Sequence, residues 1–549
     1  MRRAGALARL VCLLAGSAAG AAGSGADRVG KTIYLRGLLG SGAPLEGVRE
    51  EGVVTTGADA ACVNCHQRSG LGSVEGRLWF PPISTDYLYS ADNGTEAPLA
   101  YVEGARGSRE PYTKATLARA IREGLDSQGR PFSYLMPRFA LSDQDMEALL
   151  GYLEKLSVHH TPGVTDSVLS FATIVAPDAD PVKRRAMLEV LEQFVSEKNK
   201  FPFKPTPKMR TSARTQYAKS MYMANRRWRL FVWELTGPPA GWRAQLDRYL
   251  VNQPVYAVLS GLAGSTWAPV HEFCEQREVP CLFPNVEVPV VAERDFYPLY
   301  FSKGVLLEAE LIAKSILGAG AGGGPLGVVE QVYRAGGSGE RAAEALSAQL
   351  RGQGLAVHGT VLPAGAKEQA VKAALRKLAA KGKDQDALVL WLGAADLTTL
   401  AEVPPGPGPV YLSGLLGGLE LAPLPAAWRE RARMTYPVDL PEKRRTRLNY
   451  PLGWFSFRRI PVVAEQLQTD TYLACTLLAE VLNHMADNFD RPYLIEQLQG
   501  LVDHRLITGY YPRLSLASNQ RFASKGGYLV QFKEPTGQVV TPVGDWTVP

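Results

Sequence analysis

The sequence predicts a multidomain chain in which a smaller N-terminal domain precedes an α/β module of two lobes. Three observations predict it. At roughly 100–200 residues per domain, 549 residues ask for about three compact units. A composition of 46% hydrophobic, 9% aromatic and 21% charged residues is that of a globular protein and excludes a mainly disordered or collagen-like chain. Beyond a Pro-containing linker at 161–166, apolar strand-like runs begin to alternate with amphipathic helices, the pattern of βα units and parallel sheet.

The first 26 residues read as a secretory signal: Arg2 and Arg3, an apolar stretch from Leu7 to Ala19, then small residues through Ala22. A lipoprotein signal ending at Cys12 is the alternative, but Arg9, Leu10 and Val11 precede it where small residues belong. No later apolar run reaches the roughly 18 residues of a membrane span. The mature protein is therefore expected to be soluble and exported to the periplasm.

Removing the signal leaves Cys62, Cys65, Cys274, Cys281 and Cys475. Cys62-Val63-Asn64-Cys65-His66 is a C-x-x-C-H sequence: two thiols that add to the vinyl groups of one haem c, and an imidazole for its iron. A thioredoxin-like pair would want a βαβ context and a zinc site a second ligand pair, and neither is present. Met136, seventy residues on in a Pro-bracketed segment, is the expected second axial ligand. Its alternative is core filling. Met146 falls inside an amphipathic helix opened by Ser142, where packing is expected, and His159 and His160 are the other possible ligands.

With these residues in place, Ala58 to Leu156 resembles a class I cytochrome c domain: C-x-x-C-H near its start, a Met-Pro segment, and a closing helix ending Tyr152-Leu153-Glu154-Lys155-Leu156. The resemblance implies an all-α domain, taken as 27–160, and a proline carbonyl that accepts the Nδ1 proton of His66. Pro81 or Pro82 fills that role. Arg68, Arg77 and Arg138 are candidate partners of the haem propionates or surface arginines. Residues 84–112 read as an insertion.

From 167 to 549 the strand candidates are 167–175, 229–234, 255–259, 326–330 and 387–392; helix candidates are 181–198, 241–251, 269–275, 338–351, 368–380 and 471–484. This is too long for one core, so two lobes with a cleft are expected, the second over roughly 305–435. The run Gln253–Pro284 resembles the type I periplasmic binding proteins of the branched-chain amino-acid receptor family. In that family a turn of small hydroxyl residues and backbone amides binds an anionic ligand group. The resemblance places Ser260, Gly261, Ser265, Thr266 and Asn285 at this site, with Tyr333 and Asp396 at second-lobe strand ends. A plain strand-to-helix turn capped by Ser265 or Thr266 is the alternative. The usual Ala-Thr is absent at Asn285, which bears on amino-acid specificity. Ala335-Gly336-Gly337-Ser338-Gly339 lacks the spacing of a nucleotide-binding loop.

Cys274 and Cys281, seven apart, are expected to pair in an oxidising compartment, with two reduced buried thiols as the alternative, and Cys475 to be buried and inert. Sixty Lys plus Arg against 54 Asp plus Glu gives a net charge of +6, too weak an excess to suggest a nucleic-acid partner. Locally, 198–232 holds ten basic residues and no acidic one, a patch that steers an acidic partner or forms a solvated loop. The function expected is one-electron transfer by a monohaem cytochrome whose fused module binds a small anionic solute or a partner. The redox partner would be a dehydrogenase or another cytochrome. No catalytic triad, paired carboxylates or second cofactor motif is legible, so an enzyme or substrate-presenting subunit is the alternative, and a transporter-type solute receptor with accessory haem a further one.

Overall fold

The computed structural model describes residues 25–75, 78–90, 109–156, 161–200, 226–292, 294–321, 327–446, 450–485, 488–505 and 508–549. Residues 1–24, within the stretch expected to be a signal, Arg77, His159, His160 and the basic run from 201 to 225 lie outside them. The chain divides into two compact units, 1–158 and 159–549.

The first unit is built on the crossing of helix α1 (Gly25–Arg36) with helix α5 (Asp143–Leu153). Gly30 makes the crossing possible, because a Cβ there would lie 2.1 Å from the Ala148 carbonyl oxygen. Tyr34 and Tyr152 pack across it with ring centres 5.3 Å apart and planes tilted by 50°. Ser142 opens α5 by accepting the Asp145 amide proton, and helix α4 (Lys114–Glu123) is opened by a reciprocal Thr113–Thr116 cap and closed by left-handed Gly124. Ile33, Leu117, Ile121, Met146, Leu149 and Leu153 form the core, Met146 being only 3% exposed as packing required. Two short helices, α2 (Val63–His66) and α3 (Thr85–Tyr89), complete the helical part.

The unit is helical in its core but adds two antiparallel pieces to the all-α expectation. Strand β1 (Glu46–Val48) pairs with β2 (Val54–Thr56) and with β5 (Arg138–Phe139), and β3 (Ser73–Glu75) pairs with β4 (Leu78–Phe80). Pieces of two or three residues carry too little alternation to be read from sequence.

In the second unit, β6 (Val168–Val175), β7 (Arg227–Glu234), β8 (Ala257–Leu259), β9 (Cys281–Leu282) and β10 (Pro298–Leu299) form a parallel sheet in the order β10-β9-β8-β6-β7. Helices α6 (Pro181–Lys200), α7 (Trp242–Asn252) and α8 (Ala268–Gln276) make its crossovers. All of β6 after its first residue is buried, as a strand covered on both faces must be.

Helix α9 (Val305–Ala321) carries the chain into a second lobe, where β11 (Val329–Arg334), β12 (Val357–Leu362), β13 (Ala387–Trp391), β14 (Val410–Leu412) and β15 (Ala432–Tyr436) lie parallel. Helices α10 (Ser338–Gly352) and α11 (Glu368–Lys381) connect the first three. This lobe reaches beyond the expected 305–435. Strands β16 (Tyr528–Phe532) and β17 (Val540–Pro542) extend its sheet antiparallel from β15, after the βα alternation has ended. Helices α12 (Glu465–His484) and α13 (Arg491–Arg505) come between and pack back on the first lobe. Arg491 there donates to the Val255, Tyr256 and Glu278 carbonyls.

Candidate haem-binding cavity

The Cys-x-x-Cys-His residues form the single helical turn α2 and its N-cap. Cys62 accepts from the Cys65 and His66 amides at 3.2 and 3.0 Å, which sets both thiols and the imidazole toward one cavity of about 360 Å³. His66 is 8% exposed, and its Nδ1 lies 3.0 Å from the Pro81 carbonyl oxygen. A carbonyl can only accept, so Nδ1 holds the proton and Nε2 keeps its lone pair. Pro81, not Pro82, is thus the partner. The intervening loop is folded tightly: the Gly72 amide donates to the His66 carbonyl and the Ile83 amide to Gly70. Gly72, at φ +72°, has no room for a Cβ, which would stand 2.1 Å from the Phe80 oxygen.

Burial pushes the Cys62 thiol up to about 12 and raises Cys65, where nearby Arg49 opposes the rise and Glu75 adds to it. Burial also lowers His66 against the opposing bond from Pro81, favouring the neutral imidazole that can ligate a metal.

Met136 lines the same cavity from another part of the chain. Its amide donates to Ser133, and the strand that follows, β5, is fixed against β1 by pairing of Phe139 with Gly47 and Arg138 with Val48. Met146 does not line the cavity. Of the arginines expected near propionates, Arg68 and Arg138 do not line it either; Arg49, Arg109 and Arg130 do. Arg109 donates to the Tyr87, Leu88 and Glu110 carbonyls, and Arg130 pairs with Asp126 at 2.7 Å. The buried Nε of Arg49 has no hydrogen-bond partner among the described residues. Sequence reasoning missed Arg49 because it precedes the motif, in a hairpin with no signature of its own. Two thiols, an imidazole with a free Nε2, a thioether and a buried donor without an acceptor around one largely apolar cavity fit a covalently held haem, whose acidic groups Arg49 could pair with.

The five residues expected to contact a solute have partners within the protein. Ser260 is fully buried and its Oγ accepts from Asn285 Nδ2 at 2.9 Å, while Asn285 also donates to Thr471 on α12 at 3.1 Å. At Gly261 a Cβ would stand 2.6 Å from the Trp267 ring, so its glycine answers to packing. Ser265 donates to Asp178 at 2.5 Å, and Thr266 accepts from the Ala268 amide at 3.3 Å. In the second lobe Asp396 takes a two-pronged contact from Arg334, at 2.8 and 2.6 Å, and Tyr333 is half-buried. Cys274 and Cys281 are bonded to each other, and Cys475 is fully buried, which raises its thiol. His271 is held between Tyr300 and Asp295. Among the described residues no three His, Cys, Asp or Glu side chains group as a metal site, and no helix is long and apolar enough to cross a membrane.

Residues 55–157 match the family model described as cytochrome c. A comparison with curated proteins finds no match. Solved structures similar to the chain include a fatty acid ABC transporter substrate-binding protein from Thermomonospora curvata, 15% identical, covering 71% of this chain and 94% of its own with a TM-score of 0.47. A leucine-binding protein from Thermotoga maritima is 11% identical over 69% of this chain and 99% of its own, at a TM-score of 0.46. A possible leucine/isoleucine/valine-binding protein from Rhodopirellula baltica is 14% identical over 69% and 97%, at 0.47. The chain thus carries a domain over residues 55–157 that matches the cytochrome c family, followed by a two-lobed α/β module.

Proposed function

We propose that the protein is an exported monohaem c-type cytochrome that passes one electron at a time between redox proteins, while its second unit binds a solute or partner that localises or gates the transfer. The observation that carries this reading is that Cys62, Cys65, His66 and Met136, drawn from segments seventy residues apart, line one cavity. Cys62 and Cys65 would hold a haem by thioether bonds, and His66 Nε2 and the Met136 sulfur would bind its iron. When bound, that group supplies a one-electron iron couple, and a thioether ligand raises its potential.

The chain's own residues do the rest. The Pro81 carbonyl fixes the His66 tautomer and ring orientation. The β1–β5 pairing holds the segment that bears Met136. If His66 and Met136 both held the iron, these side chains would leave no place on it for a substrate, which favours a carrier over an oxidase.

The test is an absorption spectrum of the mature protein, produced in a host that attaches haem, oxidised and reduced and extending to the near-infrared sulfur-to-iron band. Haem that survives denaturing extraction together with that band is the expected result, and Met136→Ala should abolish the band while leaving the haem attached. Covalent haem without the band would overturn Met136 as ligand. Absence of covalent haem would overturn the cytochrome reading.

A further inference from the structure

Met136 belongs to no helix or strand; it stands in the irregular segment 124–137 between α4 and β5. The β1–β5 pairing holds the far end of that segment. The near end is organised around one side chain. Asp126 is only 2% exposed, and its carboxylate accepts from the Gln128 amide at 2.9 Å, the Arg130 amide at 2.9 Å and Arg130 Nε at 2.7 Å. The backbone closes the same loop, the Asp126 amide donating to the Arg130 carbonyl at 2.8 Å and the Gly129 amide to the Asp126 carbonyl at 3.0 Å. A bridge between Leu125 and Pro131, and the Phe132 amide donating to Gly124 at 2.7 Å, return the chain to the end of α4. Arg119 of α4 fastens the loop by donating to the Asp126 and Ser127 carbonyls, and Ser127 donates to the Glu110 carbonyl. From Phe132 the chain reaches Met136 through a single turn, in which the Met136 amide donates to Ser133 at 3.1 Å.

Asp126 and Arg130 line the same cavity as Met136. A carboxylate in a largely apolar wall is costly unless it is bonded. Burial works to raise Asp126, but the bonds from Arg130 and Gln128 outweigh it and hold the carboxyl below its usual range. Charge-assisted bonds are shorter and stronger than neutral ones, so a carboxylate bonded in this way fixes the loop more firmly than a neutral acceptor would.

We infer that Asp126 is the positioning residue for Met136: its carboxylate locks the loop 124–132 onto the end of α4 and thereby fixes the place of the thioether in the cavity. This rests on the reading of Met136 as an iron ligand. The action is indirect, since the carboxylate bonds Gln128 and Arg130 and the backbone carries the constraint on to Met136.

The experiment is titration of full-length, haem-loaded ferric protein with imidazole, a competitor of the thioether, followed by loss of the sulfur-to-iron band in wild type, Asp126→Ala, Asp126→Asn and Ile33→Val. Asp126→Ala should bind imidazole at least about tenfold more tightly than wild type, since even one hydrogen bond to a charged group is worth that factor. Asp126→Asn keeps the shape and an oxygen for the amides, loses the pairing with partly exposed Arg130 and should gain about threefold. It decides the matter if the alanine variant does not fold. Ile33→Val loosens the buried core at a residue that does not line the cavity, and it should leave the imidazole affinity unchanged. An equal gain in Ile33→Val would overturn the inference, because general loosening would then account for it. So would an Asp126 variant with native circular dichroism and the band intact that binds imidazole no better than wild type. A wild type lacking the band fails on Met136 itself and takes the inference with it, which separates failure of the ligand reading from failure of the role of Asp126.

Discussion

Glu308, on α9, is fully buried and accepts from the Leu415 amide, Thr435 Oγ1 and Ser413 Oγ, yet burial pushes its carboxyl up to about 7. Asp470 is likewise pushed up to about 7 by burial, against a 2.7 Å bond from the Tyr511 hydroxyl. In the unfolded chain both titrate near ~4. The folded state therefore holds their protons more tightly, and their contribution to stability falls as pH rises from about 4 to about 7, then levels off. Glu308→Gln and Asp470→Asn should each gain melting temperature relative to wild type between pH 5 and pH 8; a difference from wild type that is flat in pH would refute the assignment. Glu308→Ala should cost about 1–3 kcal/mol at pH 5 by denaturant titration, because it strands three donors. At this scale the sequence is legible where chemistry is local. The spacing of Cys62, Cys65 and His66 puts all three on one turn that faces one cavity, whereas Asp178 meets Ser265 across 87 positions that no short motif spans.

Among the elements, the α1–α5 crossing is the most sensitive to one atom. Valine at position 30 would drive its side chain into the Ala148 carbonyl and Tyr152, and overpacking of this kind costs roughly 1–3 kcal/mol. Gly30→Val should therefore lower the temperature at which the haem band collapses while leaving the ellipticity change of the second unit in place; an unchanged haem transition would show the crossing to be slack. The α/β elements were legible because buried parallel strands read as continuous apolar runs, Val168–Val175 being the clearest. Helix α1 was not, since it begins at Gly25, within the stretch read as a signal. The short hairpins escaped notice for lack of length, and β16 and β17 because they return to the sheet only after a long helical excursion.

On the scale of the whole molecule, each unit has a core of its own: Ile33, Tyr34, Leu149 and their neighbours in the first, and the packing around the two sheets in the second. Heating should give two transitions, one seen in haem absorbance and one dominating far-ultraviolet circular dichroism. A single coincident transition by both probes would contradict independent cores. Both a disulfide and the cofactor thiols belong to this one chain, and they make opposite demands on its maturation. Cys274 and Cys281 are joined in a disulfide, whereas Cys62 and Cys65 carry free thiols, which on the proposed function would have to stay reduced until each is alkylated. Only two residues separate that second pair, so its own closure to a disulfide competes with cofactor attachment. On that proposal biosynthesis has to be oxidising at one site and reducing at the other. Without a thiol reductant at the right step, the product is a chain whose second unit is correctly bridged and whose first is sealed shut against its pigment.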